Sequence, residues 1–165
     1  MHYKFAPLIA VLVLGLSACQ TTGDQVVMSK KSALELRNIQ SRIFETSDQS
    51  KIYRSVITVM QDLGYAITTV EPEAGIISGN KLAKLDLTAA VSQKDENSTR
   101  VRANAIVRVQ PNFPAHQVDG AEFYQQRFFE PLAQALFLDA LYDDEEIEDS
   151  EKVAEGPKQA SEVKE

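Results

Sequence analysis

The sequence predicts an α+β domain in which two helices pack on one face of an antiparallel sheet of four to five strands. Two patterns carry this prediction. Residues 85–91 and 101–109 alternate apolar side chains with other side chains, as half-buried strands do. Residues 52–63 instead place apolar side chains three and four positions apart, which is typical of an amphipathic helix.

The first half of the domain is divided by its turn and capping residues. The spacing of apolar residues at 33–44 is ambiguous between a short helix at 33–38 and a strand at 37–45, and we favour a strand at 39–45. Thr46-Ser47-Asp48 offers N-caps for a helix over residues 48–63, and Gly64 suits its end. Residues 65–70 and 76–81 then predict two strands joined by a turn at 71–75.

The second half begins with a hairpin whose register the sequence fixes. Pairing Val91 with Val101 places Leu87 opposite Ala105, so that small side chains face large ones across the two strands. A second helix is predicted over residues 119–139. Pro131 lies inside it and is expected either to bend that helix or to restart it.

The N-terminus carries the most specific motif of the chain. Lys4 and a nine-residue apolar run, 8–16, precede Leu16-Ser17-Ala18-Cys19. The run is too short to span a bilayer but matches the apolar region of a signal peptide. The four residues resemble the lipobox of bacterial lipoproteins, which predicts cleavage before Cys19. The alternative is an ordinary secretory signal in which Cys19 is incidental.

The lipobox resemblance implies a lipid anchor and a location. Cys19 would carry a thioether-linked diacylglyceryl group and an acyl chain such as palmitate on its amine, and two or more chains give stable anchoring. Gln20 stands where aspartate signals retention in the inner membrane of Gram-negative bacteria. The resemblance therefore implies a protein anchored to the cell outer membrane with its domain in the periplasm, provided that the host has an outer membrane.

Charge and composition complete the predicted division of the chain. The four predicted segments are a removed signal peptide (1–18), a lipidated cysteine with its tether (19–32), one α+β domain (33–139) and an acidic disordered tail (140–165). The net charge of the chain is −7. Residues 140–165 hold ten acids and three lysines, so this segment alone carries a charge of −7. The predicted domain is nearly neutral, so the sequence lacks the basic footprint of a nucleic-acid-binding protein.

A second resemblance covers about residues 34–139. The segment Arg37-x-x-Gln40-Ser41-Arg42-x-Phe44-Glu45-Thr46, followed by Gln61-Asp62-Leu63-Gly64-Tyr65, is similar to a pattern in uncharacterised Gram-negative envelope lipoproteins. That pattern is Arg-x-x-Gln-Thr-Arg-x-Phe-Asp-Thr and then Gln-Asp-Leu-Gly-Phe. The resemblance implies an envelope lipoprotein and assigns no activity to it.

The sequence is compatible with three functions. The expected function is that of a non-catalytic accessory or assembly subunit of a cell-envelope complex, with an envelope protein as partner and with no cofactor or metal. The first alternative is a binder of a lipid or other apolar ligand in a pocket lined by Leu85, Leu87, Val107, Met60 and Phe128. The second is an enzyme that acts through His116, the one histidine after the signal peptide.

Two polar clusters and one aromatic set are the candidate partner-binding residues. Arg37, Gln40 and Arg42 either bind a partner or hold a strand edge against the first helix. Arg100, Arg102 and Arg108 share one strand face and either bind an anionic partner or form a solvated surface, with Asp86 placed to pair with Arg108. The aromatic residues that fall off the main stripe of the second helix could form an exposed patch: Phe123, Phe129 and Phe137.

Overall fold

The computed structural model describes residues 26–109 and 113–143, which form a mixed α+β fold with three helices and a mostly antiparallel sheet of seven strands. The predicted class is therefore correct, whereas four to five strands and two helices were too few. The strands are β1 (Val26–Val27), β2 (Ser41–Phe44), β3 (Ala66–Glu71), β4 (Ile76–Lys81), β5 (Leu85–Gln93), β6 (Thr99–Val107) and β7 (Ala115–Gln117).

The sheet is built outward from the β5–β6 hairpin. Its order is β1-β7-β6-β5-β4-β3, and β2 pairs with the first half of β6, beside β7. The predicted register is confirmed, because Val91 pairs with Val101 and Leu87 with Ala105. β1 joins β7 in parallel, and the other strand pairs are antiparallel.

The helices begin where local capping favours them. Helix α1 (Ala33–Gln40) starts with a capping box between Ser32 and Glu35, and the Glu35 pKa is lowered by its hydrogen bonds to Ser32. Helix α2 (Gln49–Asp62) starts at the predicted cap Asp48, whose carboxylate accepts from the Lys51 N–H at 2.8 Å. The prediction favoured a strand from Ile39, but the helix continues to Gln40 and the strand starts at Ser41.

Helix α3 contains a π-helical turn just before its proline. It comprises an α-helical turn (Ala121–Tyr124), a π segment (Gln125–Phe129) and a second α segment (Glu130–Leu136). Pro131 lacks an N–H and its ring would crowd the carbonyl four residues earlier in a regular helix. A π turn is wider than an α turn, and this one ends just before the proline. The widening accommodates Pro131, so the chain continues as helix beyond it.

The core lies between one face of the sheet and helices α2 and α3. Gly79 allows α2 to approach closely, because a Cβ at that position would lie 2.9 Å from the Met60 methyl carbon. The sheet contributes to the core Ile77, Leu87, Ala89, Val91, Val101, Ala103 and Ala105, and the helices contribute Ile52, Val56, Met60, Tyr124, Phe128, Leu132 and Leu136.

Both ends of the described chain return to the sheet. Val26 and Val27, within the interval predicted as tether, pair with Ala115 and His116. At the other end, Leu141 exchanges two backbone hydrogen bonds with Ile43, of 2.8 and 2.9 Å. We call residues 139–143 the C-terminal strap; most of it lies within the interval predicted as a disordered tail.

Candidate functional site

Cys19 and Gln20, the predicted lipidation and sorting residues, lie outside the described residues. The chain enters the described fold at Val26, the first residue of β1. None of the helices in residues 26–109 and 113–143 is long and apolar enough to cross a bilayer.

Arg42 is an internal residue of the fold. Its side chain is buried, and its guanidinium donates to the backbone oxygens of Asn38 and Ser41 at 2.9 and 2.6 Å and to the Gln125 side chain at 2.9 Å. No carboxylate pairs with it among the residues that the structure describes. Burial lowers the pKa of Arg42, although the Tyr142 hydroxyl opposes that shift.

Two aromatic rings complete the surroundings of this guanidinium. Its central carbon lies 5.0 Å from the centre of the Phe129 ring and 3.9 Å from the centre of the Tyr142 ring. Each ring presents its electron-rich face to the cation, and such contacts strengthen when they are shielded from water. Arg42 thus joins β2, helix α3 and the C-terminal strap.

Gln40 is likewise committed to the interior. Its side-chain amide donates to the Tyr124 hydroxyl at 3.1 Å, and that hydroxyl also receives the Ala105 N–H and donates to the Val118 carbonyl. Burial raises the pKa of Tyr124, which keeps the phenol protonated as this arrangement requires. Of the first polar cluster, only Arg37 is exposed.

Asp143 fixes the end of the strap on the sheet face opposite the core. Its buried carboxylate accepts from Arg100 Nε at 2.5 Å and from Lys94 Nζ at 2.8 Å. Burial raises the pKa of Asp143, but the hydrogen bonds and charges of Arg100 and Lys94 outweigh that effect, so the net pKa is lowered. Arg100 therefore holds the strap in place.

The three arginines predicted to share a strand face differ in what they contact. Arg108 pairs with Asp86 at 3.1 Å, as the register predicted. The Arg102 side chain is exposed, and the described part of the chain offers it no hydrogen bond or ion pair. Arg102 is therefore the arginine of this set that is available to another molecule.

Arg102 stands on a sheet face made largely of small polar side chains, which we call the outer face. Neither α2 nor α3 packs on it. Two of its hydroxyls, Ser78 Oγ and Thr88 Oγ1, lie 2.9 Å apart on neighbouring strands. By strand alternation from the buried residues, the outer face comprises Thr69, Ile76, Ser78, Asn80, Asp86, Thr88, Ala90, Ser92, Arg100, Arg102, Asn104 and Ile106.

The predicted aromatic patch is divided by the fold. Phe129 is fully buried and Phe123 packs at the margin of the core. Phe137 is 93% exposed and has a left-handed backbone, with φ of 55°, at the end of α3. The periodicity of the helix could not separate these three residues, because the π turn changes which side chains face inward.

The residues of the two alternative functions lie as follows. Met60, Leu87 and Phe128, which were expected to line a pocket, are buried in the core with at most 1% exposure. His116 is exposed on β7. Within residues 26–109 and 113–143, no three histidine, cysteine, aspartate or glutamate side chains gather as a metal site.

No protein-family model matches the chain, and no curated protein matches it.

Proposed function

We propose that the protein is an outer-membrane lipoprotein that acts as a non-catalytic accessory or assembly subunit of a cell-envelope complex. The observation that carries the proposal is Leu16-Ser17-Ala18-Cys19 directly after an apolar run. Cys19 holds the acyl chains, and Gln20 directs the protein to the outer membrane. The domain faces the periplasm.

The distance from the anchor to the fold supports a function at the membrane surface. Cys19 precedes Val26 by seven residues, which reach at most about 25 Å when fully extended. A domain held so closely meets partners that are themselves at the membrane. Such confinement raises the effective concentration of a partner without additional contacts.

The outer face around Arg102 is the proposed partner surface, and the partner offers an acidic segment there. Arg100 and Arg108 each pair with a carboxylate of the same chain, whereas Arg102 is exposed. Its neighbours Ala90 and Ser92 are small, so another protein can approach the sheet closely. An arginine can grip a carboxylate with two parallel hydrogen bonds, which gives such a contact direction.

The anchor is tested with Cys19→Ala and Gln20→Asp in cells fed labelled palmitate. The parent protein should incorporate the label and fractionate with the outer membrane. Cys19→Ala should lose both properties, and Gln20→Asp should move the labelled protein to the inner membrane. Equal fractionation of the parent and Cys19→Ala would contradict the proposed anchor.

The partner surface is tested by placing a photo-crosslinking amino acid at Ala90, which pairs with Arg102 on the neighbouring strand, in living cells. A defined envelope protein should be captured, and Arg102→Glu should reduce its capture strongly. Arg54→Glu is the matched control, because Arg54 is an exposed arginine on helix α2. If both substitutions change capture equally, or if no defined protein is captured, the outer face is not the partner surface.

A further inference from the structure

We propose that one end of the sheet contacts the lipid bilayer directly; we call it the proximal end. It is formed by the turn between β4 and β5, by residues 108 and 109, by Phe113 and by the start of β1. Its occupant is the headgroup region of the membrane. The proposal rests on the lipid anchor proposed at Cys19 and adds an orientation to it.

The strand register places these segments together. Lys81 pairs with Leu85 and Leu85 with Val107, so the β4–β5 turn and the end of β6 lie at the same end of the sheet. A hydrogen bond of 2.6 Å from the Arg108 N–H to the Lys84 carbonyl joins them. β7 also begins at this end, because it runs antiparallel to β6.

The anchored chain enters the fold at this same end. Val26 pairs with Ala115, the first residue of β7, and β1 runs from there toward the middle of the sheet. The six residues between Cys19 and this strand therefore attach the lipid anchor to the proximal end. The opposite end carries Asp143 with Lys94, and it faces away from the anchor.

The proximal end exposes apolar side chains that a water-facing turn does not need. Leu82 is 82% exposed at the tip of the turn, Phe113 is 64% exposed and Val109 is 62% exposed. Exposed Lys84 lies beside Leu82 and can keep its ammonium at the headgroups while its stem lies along apolar surface. Apolar and aromatic side chains next to lysine are typical of surfaces that rest in the interface of a bilayer.

The backbone of the turn gives an independent reason to assign it a function. Leu82 and Ala83 both have left-handed conformations, with φ of 57° and 51°. Leu82 and Ala83 are the two central residues of a turn that is closed by a hydrogen bond from the Lys84 N–H to the Lys81 carbonyl. A turn with positive φ at both central residues favours Asn-Gly, since glycine and asparagine tolerate that conformation. The chain instead places a leucine there, which strains the backbone and exposes an apolar side chain. Strain of this kind at an exposed position indicates a function for the side chain.

The test uses the mature lipidated protein in vesicles of phosphatidylethanolamine and phosphatidylglycerol that contain nitroxide-labelled lipid. A polarity-sensitive fluorophore is attached to Leu82→Cys or to Phe113→Cys. Cys19 does not react because its sulfur carries the lipid. The control is Ala74→Cys in the exposed turn between β3 and β4, at the opposite end of the sheet. Quenching by the lipid should be several-fold stronger at positions 82 and 113 than at position 74.

A second variant separates membrane contact from folding. Leu82→Asn with Ala83→Gly suits the turn better than the native pair, so the domain should remain folded. With the fluorophore at position 113, this variant should reduce quenching severalfold. Equal quenching at positions 82 and 74, or no effect of the double substitution, would overturn the proposal. A signal that grows with protein density without lipid quenching would identify a second copy of the chain as occupant and would also overturn it.

Flotation of the vesicles distinguishes the two proposals. A protein that floats with the vesicles but is not quenched at position 82 has an anchor and no membrane-contacting end, which overturns this inference alone. A protein that carries no lipid and does not float overturns the proposed anchor and, with it, the orientation inferred here.

Discussion

Replacing Asp143 by asparagine should destabilise the domain, because this buried carboxylate pairs with both Arg100 and Lys94. Its side chain is 1% exposed, whereas the Arg100 and Lys94 side chains are 28% and 18% exposed. Breaking a buried ion pair costs about 3–5 kcal/mol. The two cations are partly exposed and can be rehydrated after the change, which reduces the expected loss to about 2 kcal/mol.

The pH dependence of that loss follows from the lowered pKa of Asp143. Its contribution is fully present above the ordinary value of 3.8 and disappears as the pH falls through the lower pKa of the folded state. The two proteins should therefore differ by about 2 kcal/mol at pH 7 and converge below the ordinary pKa. Urea unfolding of both proteins at pH 7, 5 and 3 measures the difference.

Asp139→Asn is the control for this experiment, because Asp139 is exposed on the same strap. It should change the free energy of unfolding by less than about 0.5 kcal/mol. A similarly small effect of Asp143→Asn at pH 7 would refute the reasoning. So would a difference that stays unchanged from pH 7 to pH 3, because the loss would then arise from packing and not from charge.

Three further substitutions test the internal contacts, each by urea unfolding. Arg42→Ala should reduce the free energy of unfolding by about 3 kcal/mol, since it leaves buried acceptors without a donor and removes packing between two rings. The control Arg37→Ala, at an exposed arginine, should reduce it by less than about 0.5 kcal/mol, and equal effects of the two substitutions would contradict the internal role of Arg42. Phe137→Gly should stabilise the domain by about 1 kcal/mol, because glycine adopts the left-handed backbone conformation without strain and the exposed ring covers no core residue. A loss of stability would show that the ring has a contact within the fold. Gly75→Ala should reduce the free energy of unfolding by about 3 kcal/mol, because φ is 68° and the new methyl group would meet a carbonyl of β5. In the control Gly120→Ala the new methyl group meets no atom within 4 Å, so this substitution should be tolerated, and comparable losses in the two variants would contradict the steric explanation.

The parts of the fold that the sequence predicted are those in which one local pattern decides the structure. The hairpin of β5 and β6 follows from period-two alternation, which also set its register because a slip of one residue would expose the core face. Helix α2 follows from its apolar spacing and from the cap at Asp48. Local signals sufficed in both cases because the neighbouring residues alone determine which face is buried.

The missed elements are held by distant partners. β1 has two residues and β7 three, too few for any periodicity, and they exist because they pair with each other across most of the chain. The strap depends on Ile43, Arg42 and Arg100, and an acidic composition after residue 142 hides that dependence. For helix α1 the apolar spacing left a short helix at 33–38 open, and the serine and glutamate of the capping box at positions 32 and 35 would have favoured it over a strand.

The predicted partner residues show the same limit of sequence reasoning. Charge and spacing identify arginines that lie on one strand but not which of them the fold uses internally. For Arg42 the sequence left open a partner-binding role and a structural one, because its neutral carbonyl and aromatic partners leave no signature in the sequence. Arg100 is paired by an aspartate 43 residues away. Of the three arginines on β6 and just after it, Arg100 and Arg108 pair with carboxylates of the chain, so Arg102 is the one whose substitution tests the proposed partner surface.

The orientation inferred from the proximal end and the partner surface at Arg102 constrain each other. Arg102 lies five residues before the end of β6, which corresponds to about 17 Å along a strand. If the proximal end rests on the bilayer, the partner contact is held about 20 Å from the headgroups. If only the tether of about 25 Å limits the domain, that contact can reach about 40 Å. A membrane-contacting end would therefore select partners whose acidic segment lies close to the membrane, which is the use that an exposed leucine at the β4–β5 turn would have in the proposed accessory subunit.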